Sequence, residues 1–194
     1  MDFIKELETP DLMLKKAKQE DLESIFNNYW CSEVPAKYML WTPQKDLQQA
    51  QERLNKTLRF QKDHFAFFIY EKSTNQAIGQ AGMIEVEPNV YEDIGIGMGE
   101  KFVGKGYGKQ ILRCFINYLF SKANAKKIIC SCFEDNIASR KMQQACGLKY
   151  EYSKKCTRQR DNLEYTADYY TITREDWIKN SKKDWYDMAK RKIE

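Results

Sequence analysis

Histidine is almost missing from this chain: among 194 residues only His64 is present. That scarcity excludes triads and metal sites needing a second imidazole, and leaves His64 either on the surface or acting alone as a base. Long apolar runs are also absent. No segment approaches the roughly 20 apolar residues that cross a bilayer, so no membrane partner is expected. Neither sign of charge dominates, since 32 Lys plus Arg stand against 28 Asp plus Glu for a formal +4, too little to imply nucleic acid. The start, Met1-Asp-Phe-Ile-Lys-Glu, mixes charges and lacks the apolar heart of a secretion signal, so a cytoplasmic protein is expected. No internal repeat or low-complexity tract interrupts the chain. The six cysteines, at 31, 114, 130, 132, 146 and 156, fall mostly in apolar periodic segments. Cys130 and Cys132 share one face of a predicted strand, and no second Cys or His pair completes a zinc tetrahedron around them. Free thiols and no metal are the expectation.

What is present is the composition of a globular protein, 42% hydrophobic, 31% charged and 13% aromatic. One domain over residues 1–194 is the simplest reading, burying about 70% of the extended chain's surface. The chain is organised around the stretch from Asp93 to Leu112. An apolar-alternating segment runs into Gly104, Gly106 and Gly108, and Ile111, Leu112, Phe115 and Leu119 then recur at helical spacing. Strand, glycine loop and helix in that order present unpaired N–H groups at the positive end of a helix dipole, a seat for a phosphate. The competing reading is a turn whose glycines satisfy geometry alone. Spacing excludes two nucleotide motifs. A P-loop needs a glycine five residues before Gly108-Lys109, where Val103 stands, and Ser or Thr next, where Gln110 stands. A dinucleotide fingerprint needs a glycine where Lys109 stands.

The remaining pattern gives a strand near Leu12 and Leu14, then a helix bearing Leu22, Ile25, Phe26 and Tyr29. An aromatic-rich connection from Trp30 to Trp41 follows, and Thr42-Pro43 opens a second helix bearing Leu47, Ala50, Leu54 and Leu58. Trp30, Tyr38 and Trp41 either cap the core or wall a substrate pocket. Phe65 to Tyr70 reads as a strand buried on both faces, Gln76 to Glu87 as its return, and the strand before the glycine loop as the third of an antiparallel set. After the loop helix come a strand at Lys127 to Phe133, a helix at Asn136 to Cys146 ended by Gly147, and strands at 148–152 and 164–173 joined by the polar segment 154–162. Thr173-Arg-Glu-Asp176 caps a final amphipathic helix over about 174–191, whose basic residues from Lys179 to Lys192 read as a solvated face rather than a phosphate patch. The fold class is α/β (α+β), a mixed, mostly antiparallel sheet of six or seven strands flanked by helices. The strand, helix, strand crossover makes one pair parallel.

Three motifs together resemble the GNAT superfamily of acyl-CoA-dependent N-acetyltransferases, in particular its RimJ/RimL-like branch. They are Val103 through Gly108 for the (Gln/Arg)-x-x-Gly-x-(Gly/Ala) loop, Asn136-x-x-Ser139 with Gly147-Leu148 for the Asn-x-x-Ser and Gly-Phe segment, and Tyr169 to Trp177 for a Tyr, Arg-x-x-Trp ending. The element order fits over about residues 10–178. The resemblance implies acetyl-CoA as cosubstrate, its pyrophosphate on Val103, Gly104, Lys105, Gly106, Tyr107 and Gly108 with Asn136 and Ser139 beside them. It implies the thioester in a splayed parallel strand pair, against Ile96, Gly97 and Met98, with a backbone N–H near Met98 facing the developing oxyanion.

The family's Gln or Arg is Val103 here, and its frequent thiolate-protonating tyrosine is Gln143. The resemblance therefore puts Ser139 forward as the acid, or as a helix-start hydroxyl that only caps. Glu85, Glu92, Asp93, Glu151 and Glu164 are the carboxylates on or near the cleft strands, with Glu85 and Asp93 ranked first as base. The expected reaction is direct attack of a primary amine, a protein N-terminus or a small molecule, by a monomer or homodimer. Cys132 as a covalent nucleophile lacks a nearby histidine. A catalytically silent CoA-binding module is the alternative, and Gly95, Gly97 and Gly99 admit either a ligand or merely a bulged strand.

Overall fold

The computed structural model describes residues 4–180. Eight strands form one sheet: β1 (Glu6–Glu8), β2 (Leu12–Lys15), β3 (Phe65–Glu71), β4 (Gln76–Glu87), β5 (Val90–Met98), β6 (Lys127–Phe133), β7 (Lys149–Arg158) and β8 (Leu163–Thr173). Their order is β1-β2-β3-β4-β5-β6-β8-β7, and every neighbouring pair is antiparallel except β5 and β6. The extra strand relative to the sequence reading is β1, whose Glu-Leu-Glu is too short and too charged to show alternation. The polar stretch 154–162, expected as a connection, is mostly strand. β7 continues to Arg158 with its side chains largely in solvent, so neither face carries an apolar signal.

The helices are α1 (Leu22–Ile25), α2 (Glu33–Ala36), α3 (Leu47–Asp63), α4 (Tyr107–Ser121) and α5 (Ile137–Ala145), with a π-turn at Phe26–Trp30 after α1. α3 does not open at Thr42-Pro43. Asp46 accepts the Gln49 N–H at 2.8 Å and starts the helix at Leu47, because an N-cap carboxylate satisfies donors that a proline only avoids. Residues 174–180 are helical, and the rest of the expected final helix, with most of its basic face, lies outside the described residues.

β3 explains the two-layered core. Phe65, Phe67 and Ile69 pack with Phe115 and Leu119 of α4, while Phe68 and Tyr70 pack with Ala50 and Leu54 of α3. A strand covered on both faces is apolar throughout, each large side chain contributing about 1.5–3 kcal/mol. Among the described residues no helix is long and apolar enough to cross a membrane.

The site follows from the parallel pair. β5 and β6 pair only over Val90 to Glu92 against Lys127 to Ile129. Beyond Glu92 they part, and at the same level β5 breaks register with β4 between Ala81 and Met83. Gly95 sits in this bulge at φ 103°, a conformation glycine adopts without cost, and the bulge turns β5 away from β6.

Candidate active site

Asp93 stands at the point where the strands part. Its carboxylate accepts the Ser131 N–H of β6 at 2.9 Å, replacing the ladder bond that the divergence removes. Burial pushes this carboxyl up to about 7, with the Ser131 N–H opposing and the neighbouring Glu92 adding to the rise. Glu92 is raised as well by burial, and Lys154 pulls it back. Further along, Gly99 donates its N–H to Ile78 of β4 at 3.0 Å. Donors alternate along an antiparallel strand, so the N–H groups of Ile96 and Met98 turn the other way, towards the gap β6 has left.

The upstream glycines do something else than expected. A side chain at Gly97 would collide with the Tyr29 hydroxyl, and one at Gly99 with the Asn28 carbonyl. These two glycines let the π-turn settle onto β5, so Gly97 offers the wedge its backbone only.

The glycine loop closes one end of the wedge. Gly104 and Gly106 have φ of 85° and 79°, and a Cβ at either would meet nothing within 4 Å. No N–H from residue 104 to residue 109 has a partner among the described contacts. Six consecutive free donors at the start of a 15-residue helix form an anion seat that fits a pyrophosphate. One expectation needs correction: the Val103 N–H is not among the free donors, because it is given to the Glu100 carbonyl at 3.1 Å. The side chains of Lys105 and Tyr107 turn inward to Glu71, at 3.1 and 2.9 Å, leaving only their backbone to the loop. Burial acts to raise the Glu71 carboxyl, but the Tyr107 and Lys105 donors outweigh it and hold it below its ordinary value.

Ser139 lies across the wedge in the first turn of α5. Asn136 caps that helix by accepting the Ser139 N–H at 3.1 Å, so the Ser139 hydroxyl itself is not the cap. Instead Oγ accepts from Nε2 of Gln143 at 3.1 Å, so the hydroxyl keeps its proton to donate, with the Cys132 sulfur one acceptor beside it. Gln143 is buried, and its Oε1 has no partner. Cys132 lies beside this hydroxyl, and burial pushes its thiol up to about 11. A protonated thiol is a weak nucleophile, so this burial argues against the covalent route.

The opposite wall is a strap, residues 31–45, tied down by the β7–β8 hairpin. Arg158 donates to the carbonyls of Lys37 and Met39, and Arg160 to those of Trp41 and Ala36. Tyr38 reaches the Asp135 carboxylate at 3.2 Å and packs edge-on to Phe133 at the end of β6. Tyr38 and Trp41 both belong to this strap, whereas Trp30 is fully buried with its N–H on Gln80. The structure moves Glu85 out of the site: it accepts the Asn89 N–H at the β4–β5 turn, at the far end of the strand from Met98. Glu151 pairs with Lys127, Glu164 accepts from Thr157, and His64 stacks on Phe60 at the end of α3. Asp93 and Glu92 are the carboxylates left at the wedge. Among the described residues no group of three or more His, Cys, Asp or Glu is arranged to hold a metal.

The matching family model is the Acetyltransferase (GNAT) domain, over residues 11–149. The chain is 29% identical over 151 residues to the uncharacterized N-acetyltransferase p20 of Bacillus licheniformis, covering 75% of this chain and 83% of that protein. In structure it resembles a GNAT-family acetyltransferase from Bacillus anthracis, with a TM-score of 0.76 and 21% identity over 88% of this chain and 99% of that one. It also resembles the spermidine N-acetyltransferase of Vibrio cholerae solved with CoA and spermine, with a TM-score of 0.70 and 18% identity over 87% and 98%.

Proposed function

The chain belongs to the GNAT acetyltransferase family and is an acetyl-CoA-dependent acetyltransferase; we propose that it transfers the acetyl group directly to a primary amine, as in the RimJ/RimL-like branch. The observation that carries this reading is the run of free N–H groups at residues 104–109 beside a strand pair that opens at Asp93. Bound acetyl-CoA supplies an activated thioester. In the transfer a C–N bond forms and the C–S bond breaks, yielding an amide and the free thiol. The Met98 N–H faces the developing oxyanion, Ser139 returns a proton to the departing thiolate, and Asp93 takes the proton from the amine nitrogen. An α-amine near pKa 7.8 costs only about 1 kcal/mol to deprotonate at pH 7, against roughly 4.6 for a lysine side chain near 10.4. A base poised near 7 suits the former.

Thermal melting tests the binding half. At about 100 times Kd, acetyl-CoA should add roughly 2.7 kcal/mol of stability, and no shift at millimolar ligand would refute the reading. Release of free thiol with a panel of amines tests the other half, since a silent CoA-binding module would bind without turnover.

Asp93 carries a pH signature. Its folded pKa, about 7, lies above its ordinary 3.8, so folding favours the protonated form. The stability it contributes is complete below pH 3.8 and is lost as pH rises through 7, about 4 kcal/mol over the whole span. Relative to Asp93→Asn, which does not titrate, the wild type should lose that amount between pH 4 and 8 in denaturant melts. Activity should run the other way, with kcat/KM rising through pH 7 as the carboxylate forms and the inflection near 7 lost in Asp93→Asn, which keeps only the titration of the amine substrate. Parallel pH profiles of the two proteins would remove Asp93 as base.

A further inference from the structure

Between α3 and the sheet lies a cavity of about 300 Å³, at the small end of the range for ligand pockets. Thr57 and Phe60 close it from the helix side, and small residues, Ala66 of β3, Ala81 of β4 and Gly95 of β5, leave the space beneath them. Ile94 lies across β4 at Gly82, where a Cβ would run into both Ile94 and Ala66. Ile94 and Phe60 stay 43% and 38% exposed, so the walls keep apolar surface that no side chain of the fold covers.

The cavity extends to the level of the wedge. Its β4 wall is Gln80 and Ala81, the residues paired with Gly97 and Ile96, and its end on β5 is Gly95, in the bulge that turns this strand from β6. Neighbouring strands lie about 4.8 Å apart, so a body held here is one strand away from the backbone proposed to carry the thioester. The lining is selective through what it lacks. No carboxylate lines it among the described residues, and the side-chain oxygens of Gln61 and Gln80 are spent on the Ala17 N–H at 2.6 Å and the Trp30 N–H at 3.2 Å. Lys56 adds a cation of its own. An ammonium entering this space loses water and gains no counter-ion, whereas a hydrocarbon gains about fourfold in binding for each CH₂ it buries. Resting on the acetyltransferase reading, we infer that the acceptor is a monoamine with an uncharged apolar body, which fills this cavity while its amine stands at the Gly95 end. A polyamine is a poor acceptor here, because its second ammonium would lie among these walls.

The test uses amino-acid amides, whose α-amines are of similar basicity, about 7.8, and differ in the body they carry. The series is glycinamide, alaninamide and norleucinamide, with lysinamide as the chain that ends in an ammonium. With the wild type, kcat/KM for thiol release from acetyl-CoA should rise about fourfold per methylene from alaninamide to norleucinamide, and fall about tenfold or more from norleucinamide to lysinamide. Thr57→Phe, which fills the cavity, should flatten the series by raising KM for norleucinamide, with the acetyl-CoA melting shift unchanged, and Thr57→Val should keep the slope. A folded Thr57→Phe that retained the full preference would overturn the proposal. If Thr57→Phe does not fold, the wild-type series decides alone. Melting of the wild type with CoA present reads occupancy without turnover, and norleucinamide should raise it where lysinamide does not. That response, with no thiol released from any amide, would keep the cavity as a binding site and refute acetyl transfer. Thiol released as readily with lysinamide as with norleucinamide would overturn the proposal and leave acetyl transfer standing.

Discussion

Gly106→Val is expected to abolish acetyl-CoA binding while leaving the fold in place. Gly106 sits at φ 79° at the start of α4. A β-branched residue there is strained by about 1–2 kcal/mol or more, and relaxing it means rotating the peptides that aim the free N–H groups of residues 104–109. A Cβ at 106 would meet no protein atom within 4 Å, so the new side chain clashes with nothing in the fold. It projects into the open side of the loop, where the anion must sit. The melting shift given by acetyl-CoA should therefore vanish, with the variant alone melting about 2–8 °C below the wild type from the strain. A variant that keeps the full shift would show that the phosphates are held elsewhere. Gly108→Val would be a poorer test, since a Cβ there runs into Met142 of α5 and binding and packing would fail together.

Ser139→Ala should leave binding intact and lower kcat by about 100-fold, the lower end of what a positioned proton donor contributes. The geometry separates this from loss of a helix cap. Asn136, not Ser139, supplies the capping oxygen of α5, so alanine at 139 removes no bond from the helix start. It removes the acceptor of the Gln143 N–H, which retains the Ser131 carbonyl at 3.4 Å. Stability should fall by about 1 kcal/mol. Steady-state rates with saturating acetyl-CoA check the claim, and an unchanged kcat would return Ser139 to a structural role. Gln143 then explains the departure from the family's tyrosine. On that reading, instead of supplying a proton itself, it orients the hydroxyl proposed to do so.

Much of this site was legible because its signals are local. Gly104 and Gly106 state a backbone conformation, and Asn136 with Ser139 states a cap three residues long. The unbroken apolar run of β3 states two covered faces. Other features were illegible for an equally physical reason. Nothing local shows that the side chains of Lys105 and Tyr107 turn inward to Glu71, on another strand. Gly97 and Gly99 looked like room for a ligand and proved to be room for Tyr29 and Asn28. The residues of β7 alternate towards solvent on both faces, so no hydrophobic period announced a strand.

The sequence by itself determined the element order, the glycine loop, the capped α5 and hence the family, because each is set by interactions within a few residues. Only the tertiary structure decided which groups remain free to act. Glu85 is consumed by a turn, Asp93 is buried into a base-like pKa, and Arg158 and Arg160 fasten a strap more than a hundred residues away. Whether a polar group has a partner depends on chain segments that meet only on folding.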